Sequence, residues 1–200
     1  VGDAQINNVC VIIDYHYCSK NLDDYPIKGE TPIAMIRMTS RKENLQDAIK
    51  FGNKLIEKTQ LDVSFQIINA TNYSKNELND ALTKLSLENF FYVYFADSHG
   101  NLNLANDFWK FEDSIKICRD NGQKIGFHLH NHTDRALLNF HYCKEKNIDI
   151  TDTSILGLGK GGGNLKLESI IINENFIELI NFIEEEKKHL CFENSSYLFF

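Results

Sequence analysis

The chain has 200 residues with 42% apolar content, which suits one domain with a sizeable core. A formal net charge of −7 with no clustered basic face argues against a nucleic-acid partner, and no apolar run approaches the roughly 18 residues of a membrane span. Five scattered cysteines (Cys10, Cys18, Cys118, Cys143, Cys191) without a C-x-x-C pair, and no signal-peptide pattern, read as reduced thiols in a cytoplasmic protein. The chain starts at Val1, which points to a fragment or a processed product.

Residues 9–13, Val-Cys-Val-Ile-Ile, form a short β-branched run, as expected of a strand buried on both faces. A polar loop over residues 19–30 follows, then a strand over 33–38. Ser40 and Glu43 have capping-box spacing, and behind them Leu45, Ala48, Ile49, Gly52, Leu55 and Ile56 fall on one helical face. The unit then repeats. A strand over 63–68 precedes a second capping box, Ser74 and Glu77, and a helix with Leu78, Ala81, Leu82 and Leu85 inward. A strand over 91–96 runs into Asp97-Ser98-His99-Gly100. The spacing predicts a helix over 104–121 with Phe108, Phe111, Ile115 and Cys118 inward, ended by Gly122. A strand over 125–130 carries His128 and His130. A helix over 134–146 is expected to bury Ala136, Leu137, Phe140 and Cys143, and a sixth strand covers 148–153. Helical spacing returns at Phe176, Leu179, Ile180 and Ile183. The apolar tail 197–200 has no assigned place. Strand–helix alternation of this kind means a parallel sheet with helical crossovers, as an open doubly wound sheet or a (β/α)8 barrel. Six strands alone do not close a barrel.

Four strand ends carry polar residues: Arg37, Asp97-Ser98, His128/His130 and the loop ending in Asn164. Side chains two apart on a strand share a face, so His128 and His130 can grip one metal ion. A bare H-x-H equally describes two hydrogen-bonded histidines. His132 extends the pattern, but there the chain is turning toward a helix. Asp97 suits a carboxylate ligand, an acid/base or a loop cap. Arg37 suits a substrate anion or a strand-end ion pair. The run Gly157-Leu-Gly-Lys-Gly-Gly-Gly-Asn164 lacks P-loop spacing, and a phosphate cradle, close approach to a substrate or a tight turn explains it equally. An imine-forming aldolase needs a lysine inside the strand cores. None carries one, and Lys124 sits at a strand start, so carbon–carbon chemistry here points to a metal as electron sink.

Gly126-Phe-His-Leu-His-Asn131, Ala136-Leu-Leu-Asn139 and the stretch from Asp152 to Glu168 resemble the HMG-CoA lyase-like superfamily of metal-dependent barrels. The likeness is greatest to its 4-hydroxy-2-oxovalerate aldolase branch, whose Ala-Asp-Ser/Thr-x-Gly strand end is matched by residues 96–100. These motifs cover about the last half of the chain in order. The resemblance implies a TIM (β/α)8 barrel, here one partial catalytic domain over residues 1–200 with six of eight βα units. It implies Mn2+ or Mg2+ bound by His128 and His130, with Asn164 at a position that ligates in the lyase branch. Ser98 matches a substrate-contacting serine, and Asp97, Arg37 and His128 are counted with it as substrate contacts. The implied chemistry is aldol or retro-aldol reaction of a pyruvate-type 2-oxo acid.

The family's first strand ends in Arg-Asp-Gly, which supplies a metal-ligating carboxylate. No such motif occurs here, so the catalytic acid and base stay unassigned. His132 and Asp134 replace residues that are usually Asn and Gly in the family. Two other readings stay open: an acyl-CoA-dependent Claisen synthase of the isopropylmalate synthase type, and a non-catalytic degenerate barrel. The expected partner is a small 2-oxo acid, with no nucleic acid and no membrane. An open barrel exposes strand edges, so a homo-oligomer is also expected.

Overall fold

The computed structural model describes residues 8–171 and residues 177, 178, 180 and 181. Six strands form one parallel sheet in sequential order: β1 (Val9–Asp14), β2 (Ile33–Ser40), β3 (Asp62–Ile67), β4 (Tyr92–Asp97), β5 (Lys124–Leu129) and β6 (Ile150–Thr151). The helices are α1 (Leu45–Thr59), α2 (Lys75–Ser86), α3 (Leu104–Asp107), α4 (Glu112–Asp120) and α5 (Ala136–Glu145). Of the expected helical positions near the C-terminus, Phe176, Leu179 and Ile183 lie outside the described residues, as does the tail 197–200. Ile180 is described and helical. No described helix is long and apolar enough to cross a membrane, and the four cysteines described are free.

Strand parity divides the sheet into two chemically different faces. Met38, Phe65, Ile67, Val93, Phe95, Ile125, Phe127 and Leu129 are buried with Leu55, Leu78, Leu82, Phe111 and Cys118 of the crossover segments in one apolar core. Phe95, Phe111 and Phe127 lie with ring centroids 5.1–5.5 Å apart, within the usual range for aromatic pairs. The alternate positions, Arg37 and Thr39, Ser64 and Gln66, Tyr94 and Ala96, Gly126 and His128, share the other face in register. That second face is polar, and it carries the candidate site.

The second face is curled. Arg37 on β2 pairs with Asp152, just past β6. In a flat sheet β2 and β6 lie four strand steps apart, about 19 Å. An arginine and an aspartate side chain together cannot bridge that gap, so the sheet must bend to bring them together.

Several local expectations are corrected. β1 is the end strand of the sheet and is not buried on both faces: Cys10 and Ile12 are exposed, Ile12 by 57%. Ser40 belongs to β2 and makes no capping box. Its hydroxyl donates to the Arg41 carbonyl, and a short 3-10 turn (Lys42–Asn44) leads into α1. At Ser74 and Glu77 the reciprocal capping box is formed. The helix expected over 104–121 is broken by a 3-10 turn (Phe108–Lys110) between α3 and α4. The sixth strand shrinks to Ile150–Thr151. On α5 Leu137 is 38% exposed. Asn139 is buried instead, accepting from the Leu104 N–H at 3.0 Å and donating to the Leu102 carbonyl at 2.9 Å. A buried amide so paired clamps the β4–α3 connection at modest net gain.

Gly126 is needed where it stands. A Cβ there would overlap the Tyr94 ring and meet Ile150 Cγ2 at 2.8 Å. The bare backbone lets Tyr94 lie across β5, and Tyr94 in turn carries the Arg37 guanidinium, 3.7 Å from its ring centroid. Gly126→Ala should therefore cost about 1–3 kcal/mol through overpacking, measured by urea unfolding. A loss below about 0.5 kcal/mol would contradict the packing described, since that is the scale of a neutral surface change.

Candidate active site

A cleft of about 1160 Å³ opens on the polar face at the C-terminal ends of β1 to β5. His128, His130, His132, Ser98, Lys160 and Asn164 all line it. The structure thus brings together residues that the sequence spreads over nearly 70 positions.

His128 occupies the polar face of β5, with His130 just beyond the strand end; their ring centroids are 5.1 Å apart. His128 Nδ1 lies 2.8 Å from Asp152 Oδ2. An ionised carboxylate only accepts, so Nδ1 carries the proton and the Nε2 lone pair is left for a ligand. Asp152 also takes both terminal nitrogens of Arg37, one to each oxygen. Burial opposes the Asp152 charge, but the His128 hydrogen bond and the Arg37 guanidinium outweigh it and hold the carboxyl below its ordinary range. Burial likewise opposes the Arg37 charge, and its bond to Asp152 more than restores it. The carboxylate that Arg37 grips is therefore the chain's own. Arg37 lies beneath the cleft, 7% exposed.

Burial, reinforced by His128 and His132, pushes the His130 imidazole down to about 4. It is neutral near pH 7, and its buried Nδ1 has no hydrogen-bond partner. Asn164 stands beside it, because residues 130 and 164 form an isolated antiparallel bridge. Leu165 N–H donates to the Leu129 carbonyl, and Asn131 N–H donates to the Gly163 carbonyl. The Asn164 amide nitrogen donates to the Leu158 carbonyl at 2.9 Å, while its buried Oδ1 has no partner.

The glycine run serves this packing. A Cβ on Gly159 would meet the Asn164 side chain at 2.6 Å, and one on Gly162 would meet His132 Cα at 2.6 Å; Gly161 is likewise pressed against the His132 ring. These glycines give way to two side chains of the cleft. His132 itself stacks on His130 with centroids 5.4 Å apart. Asp134, where the family usually has Gly, adopts φ +56°, which Asp tolerates better than most residues.

Ser98 Oγ accepts from the Asn69 N–H at 3.0 Å and keeps its own hydrogen to donate. Asp97 is not in the cleft. It shares the parity of Phe95, faces the helices, and is 1% exposed. Its carboxylate accepts from the N–H groups of Asn101 and Leu102, and burial pushes its carboxyl up. The loop-cap role is what the geometry shows for Asp97.

The His128 Nε2, the neutral His130 imidazole and the unpartnered Asn164 Oδ1 suit a divalent ion. Among the described residues no group of three or more His, Cys, Asp or Glu could hold one. The donors gathered there are two imidazoles and an amide, and a hard cation would ask for an anionic oxygen besides. Asp152, Tyr94, Gln66 and Tyr73 also belong to this region. No motif singles them out, and Asp152 stands only at the start of the stretch that runs to Glu168. For Gln66 and Tyr94 the sequence signal is strand parity with Arg37.

Comparison with known proteins bears on the family and the fold. The HMGL-like family model matches residues 33–180, and the chain belongs to that family. Oxaloacetate decarboxylase of Mycobacterium tuberculosis is 25% identical over 111 residues, covering 56% of this chain and 32% of that protein. The chain therefore spans about a third of the length of this curated relative. Among solved structures, the N-terminal domain of a Bacteroides vulgatus protein assigned as an aldolase matches with TM-score 0.70 and 20% identity over 96% of this chain and 67% of that one. Hydroxymethylglutaryl-CoA lyase of Pseudomonas aeruginosa matches with TM-score 0.62 and 14% identity over 92% of this chain and 65% of its own. The six-stranded parallel sheet is thus that of HMGL-like TIM-barrel proteins, and lyases and aldolases of this family are generally divalent-metal dependent.

The Arg37–Asp152 pair allows a direct test. Asp152→Asn leaves a buried guanidinium without its counter-charge and should cost about 3 kcal/mol. In a double-mutant cycle with Arg37→Met, the second substitution should add far less than it costs alone. Additive losses in urea unfolding would contradict the pairing.

Proposed function

We propose that this member of the HMGL-like family cleaves or forms a carbon–carbon bond of a small, pyruvate-type 2-oxo acid, using Mn2+ or Mg2+ held by His128, His130 and Asn164. The observation that carries this reading is a set of three donors left ready at one corner. His128 has Nδ1 committed to Asp152, and His130 Nδ1 and Asn164 Oδ1 are buried without partners. The motifs at residues 95–100 and 126–131 support the 4-hydroxy-2-oxovalerate aldolase-like form of the reaction.

When bound, the ion acts as a Lewis acid toward the 2-oxo group, drawing off the charge that builds up on its oxygen as the carbon–carbon bond breaks or forms. The protein's own contribution is orientation. Asp152 fixes the His128 tautomer and ring, and Arg37, stacked on Tyr94, fixes Asp152. Ser98, with its hydrogen free, donates to a substrate oxygen within the cleft. Lys160 on the rim favours an anionic substrate. No described strand carries a lysine in its interior, and Lys124 at the start of β5 is exposed, so an imine route finds no nucleophile in the strand core.

Calorimetric titration with Mn2+ should show one site per chain. His128→Ala or His130→Ala should abolish it, and Asp152→Asn should weaken it about 10- to 100-fold. Pyruvate release from 4-hydroxy-2-oxo acids or oxaloacetate should follow the same order. Equal Mn2+ affinity in all four proteins, or none in the parent, would overturn the assignment.

A further inference from the structure

The far wall of the cleft contains polar groups that the metal corner does not use. Gln66 on β3 is 7% exposed and lines the cleft, yet its buried Oε1 has no hydrogen-bond partner. Tyr73, in the connection between β3 and α2, is 4% exposed and also lines the cleft, and its buried hydroxyl has no partner. A buried polar group without a partner is unfavourable, so two lining one cleft mark a place where a ligand is expected to complete them. Gln66 is in register with Tyr94 and Gly126, so it stands two strand steps from the His128 strand, about 10 Å along the sheet. A substrate anchored by its 2-oxo acid end near His128 would extend its other half toward this wall.

The chemistry of the wall selects what that half carries. An amide offers a donor beside an acceptor, and a phenol offers both on one atom, which matches the hydroxyl group. Burial, with Glu43 and Glu77 nearby, pushes the Tyr73 hydroxyl up to about 12, so it stays a protonated donor. Glu43 lines the cleft near Tyr73, and the Lys42 ammonium close to Tyr73 is already paired with Glu77, while the Arg41 guanidinium also lines the cleft. An anion at this wall would meet the Glu43 carboxylate as well as Arg41, whereas a neutral hydroxyl needs only the two unpartnered groups. The wall is equally unsuited to an alkyl chain, which would leave both buried groups unsatisfied.

We propose that Gln66 and Tyr73 form a hydroxyl-recognising subsite, and that the aldehyde half of the substrate is a hydroxyaldehyde rather than an alkyl aldehyde. This rests on the aldol reading above. In the synthetic direction a methyl C–H of pyruvate gives its proton to solvent, and the carbon pair forms the new bond to the aldehyde carbon. The carbonyl electron pair moves to the aldehyde oxygen, which takes up a proton. The product is a 4-hydroxy-2-oxo acid with further hydroxyls, and cleavage is the reverse.

The test uses the full chain with Mn2+ and two three-carbon probes, glyceraldehyde and propanal, each with pyruvate. The parent protein should favour glyceraldehyde in kcat/KM by about 100-fold or more, as sites built around a hydroxyl do. Gln66→Met and Tyr73→Phe, which keep the side-chain volume, should each lower the glyceraldehyde-to-propanal ratio at least about tenfold. A ratio near one in the parent, or ratios unchanged in both variants, would overturn the proposal. Two further measurements separate its failure from that of the aldol reading. Deuterium exchange at the pyruvate methyl group, followed by NMR, reads enolisation without any aldehyde, and its failure in the parent counts against the aldol reading. Saturation-transfer NMR of glyceraldehyde reads the subsite without turnover. A signal that weakens in both variants supports the subsite, and equal signals in parent and variants refute it.

Discussion

The Asp152 carboxylate is the point on which the site depends. It takes Arg37 from β2 on both oxygens and His128 from β5 on one, and these partners lie 115 and 24 residues away in sequence. A buried carboxylate without a counter-charge is strongly unfavourable, and so is a buried guanidinium. Each is tolerable only in the presence of the other, so their pairing requires the sheet to curl. The same pairing leaves one Asp152 oxygen facing the imidazole and thereby sets which His128 nitrogen faces the cleft. One ion pair thus links the shape of the sheet to the chemistry at its rim.

Small residues make this arrangement sterically feasible. Gly126 gives up its side chain so that Tyr94 can lie flat across β5, and Tyr94 presents its ring to Arg37. At the rim, Gly159 yields to Asn164, and Gly161 and Gly162 yield to His132. The loop between β6 and Asn164 then folds back on the end of β5 through backbone hydrogen bonds. His130 and Asn164 become neighbours by main-chain pairing, which leaves their side chains to face the cleft with unused hydrogen-bonding capacity. The glycine-rich run, which as a motif suggests a phosphate cradle, is occupied by the protein's own side chains.

Much of this could be read from periodicity, and the exceptions have physical reasons. All six strands occur where β-branched and aromatic runs place them, because burial against helices is recorded residue by residue. The Ser74 capping box forms and the Ser40 one does not, since Ser40 is held in β2 and its hydroxyl turns to the Arg41 carbonyl. β1 looks doubly buried from its composition, but Cys10 and Ile12 stand on the open face that Arg37 shares, so every second side chain is exposed. Asp97 sits in a family motif, yet its shared parity with Phe95 already turns it toward the helices. Arg37 is legible as a polar strand-end residue and Asp152 only as the start of a motif, and no local pattern encodes a partner 115 residues away. Gln66 and Tyr73 leave no motif at all, because their significance lies in hydrogen bonds they do not make.

Asp152 orients His128, with the proton on Nδ1 and the Nε2 lone pair facing the cleft. Long-range 1H–15N correlation of the histidine rings, at mildly alkaline pH without added metal, reads this directly. His128 should show a protonated, hydrogen-bonded Nδ1 and a bare Nε2, with the preference weakened in Asp152→Asn. A His128 ring protonated on Nε2, or one whose tautomer is indifferent to the Asp152 substitution, would contradict it.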